Sequence, residues 1–285
     1  MERDSPVKIL DKTFRILALF SATTPVWGVT DLAAEAGMPK STVYRVLRVL
    51  LQHEILAQDP LTKRFRLGLG ALELGRRAYE GMELRQVALP VLHRIAALSG
   101  ETVVLEVLNR EHDRVVCVER AQRQTGLRLI LDIGSTVPLH AGASSKVLLA
   151  FLPDDEIEAV IARGLPPLTA HTITDADRLR RDLAEIRARG YAVSYEETDD
   201  GAAGVAVPIW DRTGHVVAGL TIAGPLARLN QATVSRYLDL ARDGAGQIAM
   251  ELGIAGRRDA WHARGPVQAR GDRHDNGAFD FTTHI

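Results

Sequence analysis

The chain has 285 residues, enough for two domains, and its composition of 46% hydrophobic and 25% charged residues is typical of a soluble globular protein. No apolar run approaches the roughly 20 residues that span a bilayer, and the first residues lack the apolar core of a secretory signal. Cys117 is the only cysteine, which excludes an intramolecular disulfide and a cysteine-based zinc site, so we expect a cytoplasmic protein.

The net charge of −1 conceals an uneven distribution along the chain. Residues 1–80 carry 12 Lys and Arg against 9 Asp and Glu, whereas residues 81–256 carry 18 against 23. A mildly basic N-terminal part on an acidic remainder is typical of a DNA-reading module joined to a second domain.

Helical periodicity begins early in the chain. Residues 7–21 repeat apolar residues at helical spacing and predict a packing helix. Residues 29–50 then predict two short helices hinged at Gly37, a residue suited to the left-handed turn that ends a helix. We expect Thr30 to cap the first of these helices.

The second helix of this pair has two different faces. Its apolar stripe consists of Val43, Val46, Leu47 and Leu50. Its other face carries hydrogen-bond donors that suit base edges and phosphates: Lys40, Ser41, Thr42, Tyr44, Arg45 and Arg48. Two such helices around a glycine turn predict a helix-turn-helix whose second helix enters the major groove. The alternative is an ordinary helical hairpin with a solvated basic face.

A basic hairpin follows at once. Residues 55–58 and 64–67 predict two short strands around a turn at 59–63. This predicts a winged helix-turn-helix, in which we expect Lys63, Arg64 and Arg66 to contact phosphate. The alternative is an edge strand protected by solvated charges.

The remainder alternates between helices and strands. Residues 68–81 predict a linker helix and residues 84–98 a second helix, and strands then dominate at 102–108, 114–119 and 127–133. Later helices are expected at 144–151, 154–162, 175–189 and 233–252, with strands at 191–196, 203–210 and 216–223. We therefore predict a DNA-binding domain over 1–67, a linker over 68–81, an α+β sensor domain over 82–256 and a disordered tail over 257–285.

Six segments of the chain resemble the IclR family of bacterial transcription regulators in family order and spacing. They are VTDLAAEAGMPKSTVYRVLRVL, RFRLGLGALELG, VPLHAGASSKVLLA, LAEIRARGYAVSYEE, GVAVPIWD and AGLTIAGP. The resemblance implies a winged helix-turn-helix that binds palindromic operator DNA and a C-terminal GAF/profilin-like domain that binds a small effector. It also implies homodimers, often paired as tetramers, that repress or activate metabolic operons.

The effector site is predicted around the helix that begins after Gly142. Free amides and hydroxyls at this helix start favour an anion such as a carboxylate. Residue by residue, the resemblance implies that the following positions contact the effector: Ala143, Ser144, Ser194, Gly204, Thr221 and Ala223. Leu129, with Leu139 and Trp210, would supply apolar walls. The alternative is that Ser144 caps a helix and Thr221 faces the core.

This chain departs from the family at several of these positions. Ser145 stands where members usually have glycine, and Ser194, Gly204 and Ala223 offer fewer polar anchors than the glyoxylate-sensing members. Fewer anchors suit a larger or less polar ligand, so we expect an organic acid from a catabolic pathway, with an aromatic acid among the candidates.

The sequence does not favour an enzyme. Ser145-Lys146 lacks the spacing of the penicillin-recognising Ser-x-x-Lys motif, and neighbouring Glu196 and Glu197 would point to opposite faces of a strand. No metal-binding histidine spacing or phosphate-binding glycine motif is present. We expect no cofactor and no metal. A ligand-binding module with a vestigial DNA domain is the remaining alternative.

Overall fold

The computed structural model of the chain describes residues 6–109, 114–122, 132–211 and 214–252. The chain forms two compact units that divide between Gly81 and Met82. Within these described ranges, no helix is long and apolar enough to cross a membrane.

The first unit contains three helices, a hairpin and a fourth helix. In chain order these are α1 (Pro6–Leu17), α2 (Val29–Glu35), α3 (Lys40–Gln52), β1 (Leu56–Gln58), β2 (Phe65–Leu67) and α4 (Leu69–Glu80). The core forms where the apolar stripes of the first three helices meet the hairpin, because each stripe can be buried only against another element. Its most buried members include Ile16, Leu32, Val43, Leu47, Leu56 and Phe65.

The start of α4 lies directly against the hairpin, and glycine permits this approach. A Cβ atom on Gly68 would lie 2.2 Å from the carbonyl oxygen of Glu54, and one on Gly70 would lie 2.7 Å from that of His53. Real side chains do not reach such distances from backbone atoms. The Gly-Leu-Gly sequence therefore fixes α4 to the hairpin, and α4 belongs to the first unit.

The second unit is an α+β domain, as predicted. Its helices are α5 (Glu83–Ser99), α6 (Ala143–Leu149), α7 (Asp154–Ala162), α8 (Ala176–Arg189) and α9 (Val234–Glu251). Its strands are β3 (Thr102–Asn109), β4 (Arg114–Ala121), β5 (Thr136–Pro138), β6 (Ala192–Tyr195), β7 (Ala202–Trp210) and β8 (Val216–Pro225). They form one antiparallel sheet in the order β5-β4-β3-β8-β7-β6.

One predicted strand falls mostly outside the described residues. Residues 127–131 of the strand expected at 127–133 are not described, and residues 132–133 are not in a strand. The short strand β5 at Thr136–Pro138 was not predicted. Its three residues are too few to show an alternating pattern.

Both faces of the sheet are covered. Side chains such as Leu105 and Leu220 form a core with α5 and α9, whereas the opposite face packs against α6. Successive residues of a strand point to opposite faces, so small or polar residues can collect on the α6 side without disturbing the α5–α9 core.

The C-terminal end of α6 is held by an arginine of α8. The Arg187 guanidinium donates to the carbonyl oxygens of Ala150 and Leu152, which follow the helix, and also pairs with Asp154 at 2.8 Å. These bonds satisfy carbonyl groups that a helix end leaves without partners.

Candidate functional site

The two faces of α3 differ as the sequence predicts. Val43, Val46, Leu47 and Leu50 are buried in the core of the first unit. On the opposite face Lys40, Ser41, Tyr44, Arg45 and Arg48 are exposed, and Thr42 is half-buried. The aromatic side chain of Tyr44 is 53% exposed and does not pack into the core. The face of α3 predicted to contact DNA is therefore not buried within its own unit.

The turn before α3 is a glycine-based helix stop. Gly37 has φ +63°, its amide donates to Ala34 O at 3.1 Å, and the amide of Met38 donates to Ala33 O at 3.0 Å. This pair of bonds is the Schellman arrangement that ends a helix. The predicted cap at the other end of α2 is wrong: the helix begins at Val29 and its N-cap is Gly28, two residues before Thr30.

The turn of the hairpin is stabilised by a single carboxylate. Oδ1 of Asp59 accepts hydrogen bonds from the amides of Leu61 and Thr62 at 2.9 and 2.7 Å. These bonds lower the pKa of Asp59, and the bond from the Thr62 amide has the largest effect. Lys63 follows at φ +57°. The wing therefore has a defined conformation.

The basic residues of the wing are exposed. Lys63, Arg64 and Arg66 all face solvent. The guanidinium of Arg64 lies 3.5 Å from Asp31 of α2, with both side chains more than half exposed. Such a pair contributes little to stability, so Arg64 remains available to another anion.

The predicted effector residues converge on one region of the second unit. In the strand register Ser194 pairs with Gly204, and Gly204 pairs with Ala223, so the three form a single row across β6, β7 and β8. A Cβ atom on Gly204 would lie 3.5 Å from Ala143 Cβ and 3.6 Å from Thr221 Cγ2. Ala143, the first residue of α6, and Thr221 of β8 therefore both lie close to Gly204, where the row carries no side chain.

The structure gives different outcomes for the three residues predicted to form apolar walls of the effector site. Leu129 lies outside the described residues. Leu139 is buried beside α6, where it also lines a cavity of about 130 Å³ with Leu108 and Leu152. Trp210 is six residues along β7 from Gly204, about 20 Å for an extended strand, and packs edge-on against Phe151 at 4.7 Å. Trp210 therefore does not line this region, and that expectation is wrong.

A buried ion cluster holds the start of α6. Lys146, only 1% exposed, donates to Asp182 Oδ2 at 2.7 Å and to Glu197 Oε1 at 2.6 Å. Oε2 of Glu197 accepts from the amide of Gly142 at 3.1 Å. Neither Lys146 nor Glu197 was predicted to have this role. Because Gly142 has φ +85° and precedes α6, the cluster fixes the turn on which Ala143 and Ser144 are placed.

A second buried acid, Glu106 of β3, was also missed. It is 3% exposed, and its Oε2 accepts a hydrogen bond from the Thr221 hydroxyl at 3.2 Å. Burial raises the pKa of Glu106, and the hydroxyls of Ser144 and Thr221 offset this rise only in part. The one available signal was an acid within the otherwise apolar strand TVVLEVL.

Ser145 illustrates one departure from the family pattern. It is fully buried, and within the described part of the chain its hydroxyl has no hydrogen-bond partner. A buried hydroxyl in this state costs stability relative to glycine or alanine.

Family comparisons match both units. A family model described as the IclR helix-turn-helix domain matches residues 9–60, and one described as bacterial transcriptional regulator IclR C-terminal matches residues 76–250. The chain belongs to the IclR family. IclR proteins are DNA-binding transcription regulators, so this chain is a regulator and not an enzyme.

Named IclR relatives agree with this assignment. The HTH-type transcriptional repressor AllR of Klebsiella pneumoniae is 31% identical over 251 residues, covering 88% of this chain and 92% of AllR. AllR of Escherichia coli K12 is 31% identical over 246 residues, covering 86% and 90%.

Solved structures of IclR proteins share the fold. An IclR regulator from Alicyclobacillus acidocaldarius superposes with a TM-score of 0.77 at 29% identity, covering 86% of this chain and 99% of the other. An IclR homologue from Microbacterium hydrocarbonoxydans in complex with 4-hydroxybenzoate gives 0.73 at 30% identity, covering 87% and 100%.

Proposed function

We propose that this IclR protein represses a catabolic operon, that it binds a palindromic operator as a dimer, and that a small organic acid controls this binding. The observation that carries the DNA side of the proposal is the separation of α3 into a buried apolar stripe and an exposed basic face. A vestigial DNA domain would have no need to keep four donors, Lys40, Tyr44, Arg45 and Arg48, clear of its core.

The exposed residues divide by reach and chemistry. Arg45 and Arg48 are proposed to contact base edges, because a guanidinium can bond to guanine through two donors. Thr42 and Tyr44 lie beside them on the same face. The remaining donors are proposed to contact phosphate, which positions the protein without reading sequence: Lys40, Ser41, Lys63 and Arg64.

Dimerisation is supported by apolar side chains that the first unit leaves exposed. Leu10 and Phe14 lie one turn apart on α1, and Leu69 and Leu72 lie on α4, each more than half exposed. Large exposed apolar side chains of this kind mark interaction surfaces. In the proposed dimer the two α3 helices enter successive major grooves, which are about 34 Å apart.

The effector side of the proposal rests on the convergence around Gly204. Ser194 and Ala223 flank Gly204 in one row, and Ala143 and Thr221 meet it from α6 and β8. A glycine within a strand is typical of a position that a ligand approaches closely, and Ser144 and Leu129 complete the proposed set. The Microbacterium homologue in complex with 4-hydroxybenzoate supports an organic acid as the ligand class.

The DNA proposal is tested with the DNA upstream of the protein's own gene. We expect the full-length protein to retard this fragment in a gel at low salt and to protect a palindromic site from cleavage. Sedimentation of the same protein should give a dimer or a dimer of dimers. Absence of binding at low salt would contradict the regulator proposal, and a reporter that loses expression when the gene is deleted would contradict repression.

The effector proposal is tested by calorimetry on the same preparation. Aromatic and aliphatic organic acids are titrated into the protein, and those that bind are added to the operator complex. We expect a binding acid to change operator affinity, because a ligand shifts an equilibrium only through different affinities for its two states. Binding of glyoxylate or pyruvate alone would contradict the larger, less polar ligand expected here.

A further inference from the structure

The carboxyl group of Glu106 lies beside the proposed effector residues, on the next strand of the sheet. In the β3–β8 register Glu106 pairs with Gly219, and Val104 pairs with Thr221, so Glu106 and Thr221 are diagonal neighbours on one face. The Thr221 hydroxyl donates to Oε2 of Glu106 across 3.2 Å. Glu106 therefore contacts one of the residues proposed to bind the effector, and the Ser144 hydroxyl of α6 also favours its ionised form.

Glu106 differs from the other buried acids of this domain in its partners. Glu101 binds Arg228 at 2.6 Å, and Glu119 binds Arg85 at 2.8 Å. Among the described residues, the groups that favour the ionised form of Glu106 are two hydroxyls and no cation. A buried carboxyl without a cationic partner is costly to a fold, and such groups concentrate at functional sites.

The hydrogen bonds to Glu106 decide what the neighbouring hydroxyls can offer a ligand. A hydroxyl has one proton to donate and two lone pairs to accept with. Because Thr221 gives its proton to Glu106, its oxygen atom faces a ligand only as an acceptor. The oxygen atoms of the ionised Glu106 carboxylate are acceptors as well. This end of the region therefore complements a hydrogen-bond donor rather than a carboxylate.

The spacing of the strands sets the extent of such a ligand. Thr221 lies two residues from Ala223, the β8 member of the row that contains Gly204. Two residues of an extended strand span about 7 Å, close to the length of a substituted aromatic ring. A ligand lying over the small residues of this row can thus reach Glu106 with its other end.

We propose that Glu106 is a specificity-determining residue that recognises a hydroxyl, amine or amide N–H of the effector, so that the effector is an organic acid that also carries a hydrogen-bond donor. This inference rests on the effector site proposed above.

The test compares ligands with and without a hydrogen-bond donor. Benzoate, which lacks the donor, is titrated against 4-hydroxybenzoate and 4-aminobenzoate with full-length protein in a calorimeter. A hydrogen bond to a charged group predicts a preference of roughly ten- to hundredfold for the donor-bearing member of a pair. In Glu106→Gln the amide donates to the hydroxyls and frees their protons for the ligand, so this preference should fall by at least about tenfold.

Two further variants separate recognition from folding. Glu119→Gln removes a buried acid from the same sheet, but this acid binds Arg85 of α5, and the donor preference should persist. Thr221→Val removes one acceptor beside Glu106 and should reduce the preference without removing the acid. Circular dichroism melting curves establish that each variant is folded.

The outcomes are distinct. Equal affinity for donor-bearing and donor-free ligands, or an unchanged preference in Glu106→Gln, would overturn the inference. It would also be overturned if no ligand of the set bound the wild-type protein at millimolar concentration. Operator binding measured on the same preparations separates these results from a failure of the regulator proposal, because a protein that binds DNA but ignores the donor contradicts only the role of Glu106.

Discussion

The ammonium group of Lys146 lies 2.6 Å from Oε1 of Glu197, and both side chains are buried. The same ammonium also binds Asp182 of α8, and the second oxygen of Glu197 binds the amide of Gly142. A single cation therefore connects α6, α8 and the segment after β6. This cluster holds the turn from which the proposed effector residues of α6 project.

Lys146→Met should destabilise the second unit strongly. The substitution keeps the length of the side chain but leaves Glu197 and Asp182 without their cation, and breaking a buried ion pair costs about 3–5 kcal/mol. Arg180→Met is the matched control, because Arg180 also binds two acids, Glu158 and Asp177, at an exposed site. It should cost at most about 1 kcal/mol in urea unfolding. Similar losses in both variants would show that the cluster is not a special anchor.

Two glycines, Gly68 directly before α4 and Gly75 within it, should respond to alanine with opposite changes in stability. Gly68→Ala would place a Cβ atom 2.2 Å from Glu54 O, so the hairpin must move, and overpacking of this kind costs about 1–3 kcal/mol. Gly75 lies within α4, and a Cβ atom added there would have no neighbouring atom within 4 Å. Gly75→Ala should therefore stabilise the protein by about 0.5–1 kcal/mol. Thermal unfolding of the two variants checks both signs. A stabilised Gly68→Ala would contradict the close approach of α4 to the hairpin.

Features encoded by neighbouring residues could be predicted from the sequence. The stripe of α3 follows from helical spacing, and the stop at Gly37 follows from one residue type at one position. The exact ends of helices did not follow from such patterns: α2 begins at Val29, so Thr30 lies inside the helix and does not cap it. The resemblance to a family supplied the set around Gly204, whose members lie on α6 and three strands and have no common local pattern.

Features that depend on distant partners could not be predicted. Lys146 and Glu197 are 51 residues apart in the chain, and Glu106 and Thr221 are 115 apart. Whether an acid is solvated or buried depends on what packs over it, which a single strand does not reveal. Glu197 was interpreted only through its neighbour Glu196, and the structure buries it against Lys146.

Glu106 should make stability depend on pH in a particular direction. Burial raises its pKa above the ordinary value of 4.5, so the folded state binds this proton more tightly than the unfolded state. Stability is then lost as the pH rises from about 4.5 through the raised pKa. Glu106→Gln cannot ionise, so its free energy of unfolding relative to wild type should increase over this window.

Glu158 provides the opposite case for the same titration. Its hydrogen bond from Arg180 lowers the pKa of Glu158, so its contribution is present above pH 4.5 and is lost as the pH falls. Glu158→Gln should therefore differ from wild type in the reverse direction. Urea unfolding measured from about pH 3 to pH 8 covers both windows and compares the two variants. A constant difference between Glu106→Gln and wild type would contradict the raised pKa of Glu106.

Arg45 should contribute to operator selectivity. Its side chain is exposed on the face of α3 proposed to enter the major groove, and Arg45→Ala should cost about 1–3 kcal/mol in operator binding if it reads a guanine. The loss should be confined to one base position in each half-site. Arg178→Ala, an exposed arginine of the second unit, is the control for net charge. A variant with the same preference at every operator position would exclude Arg45 from base reading.

Lys63 should behave differently, because a phosphate contact carries no sequence information. Lys63 has φ +57° in the wing, and asparagine tolerates this left-handed conformation, so Lys63→Asn removes the charge while preserving the turn. We expect operator and unrelated DNA to lose affinity to a similar extent. The slope of log affinity against log salt should fall by about one for each subunit. An unchanged slope would show that the wing does not contact the DNA backbone. The neighbouring Arg64 would then pair with Asp31 rather than with a phosphate.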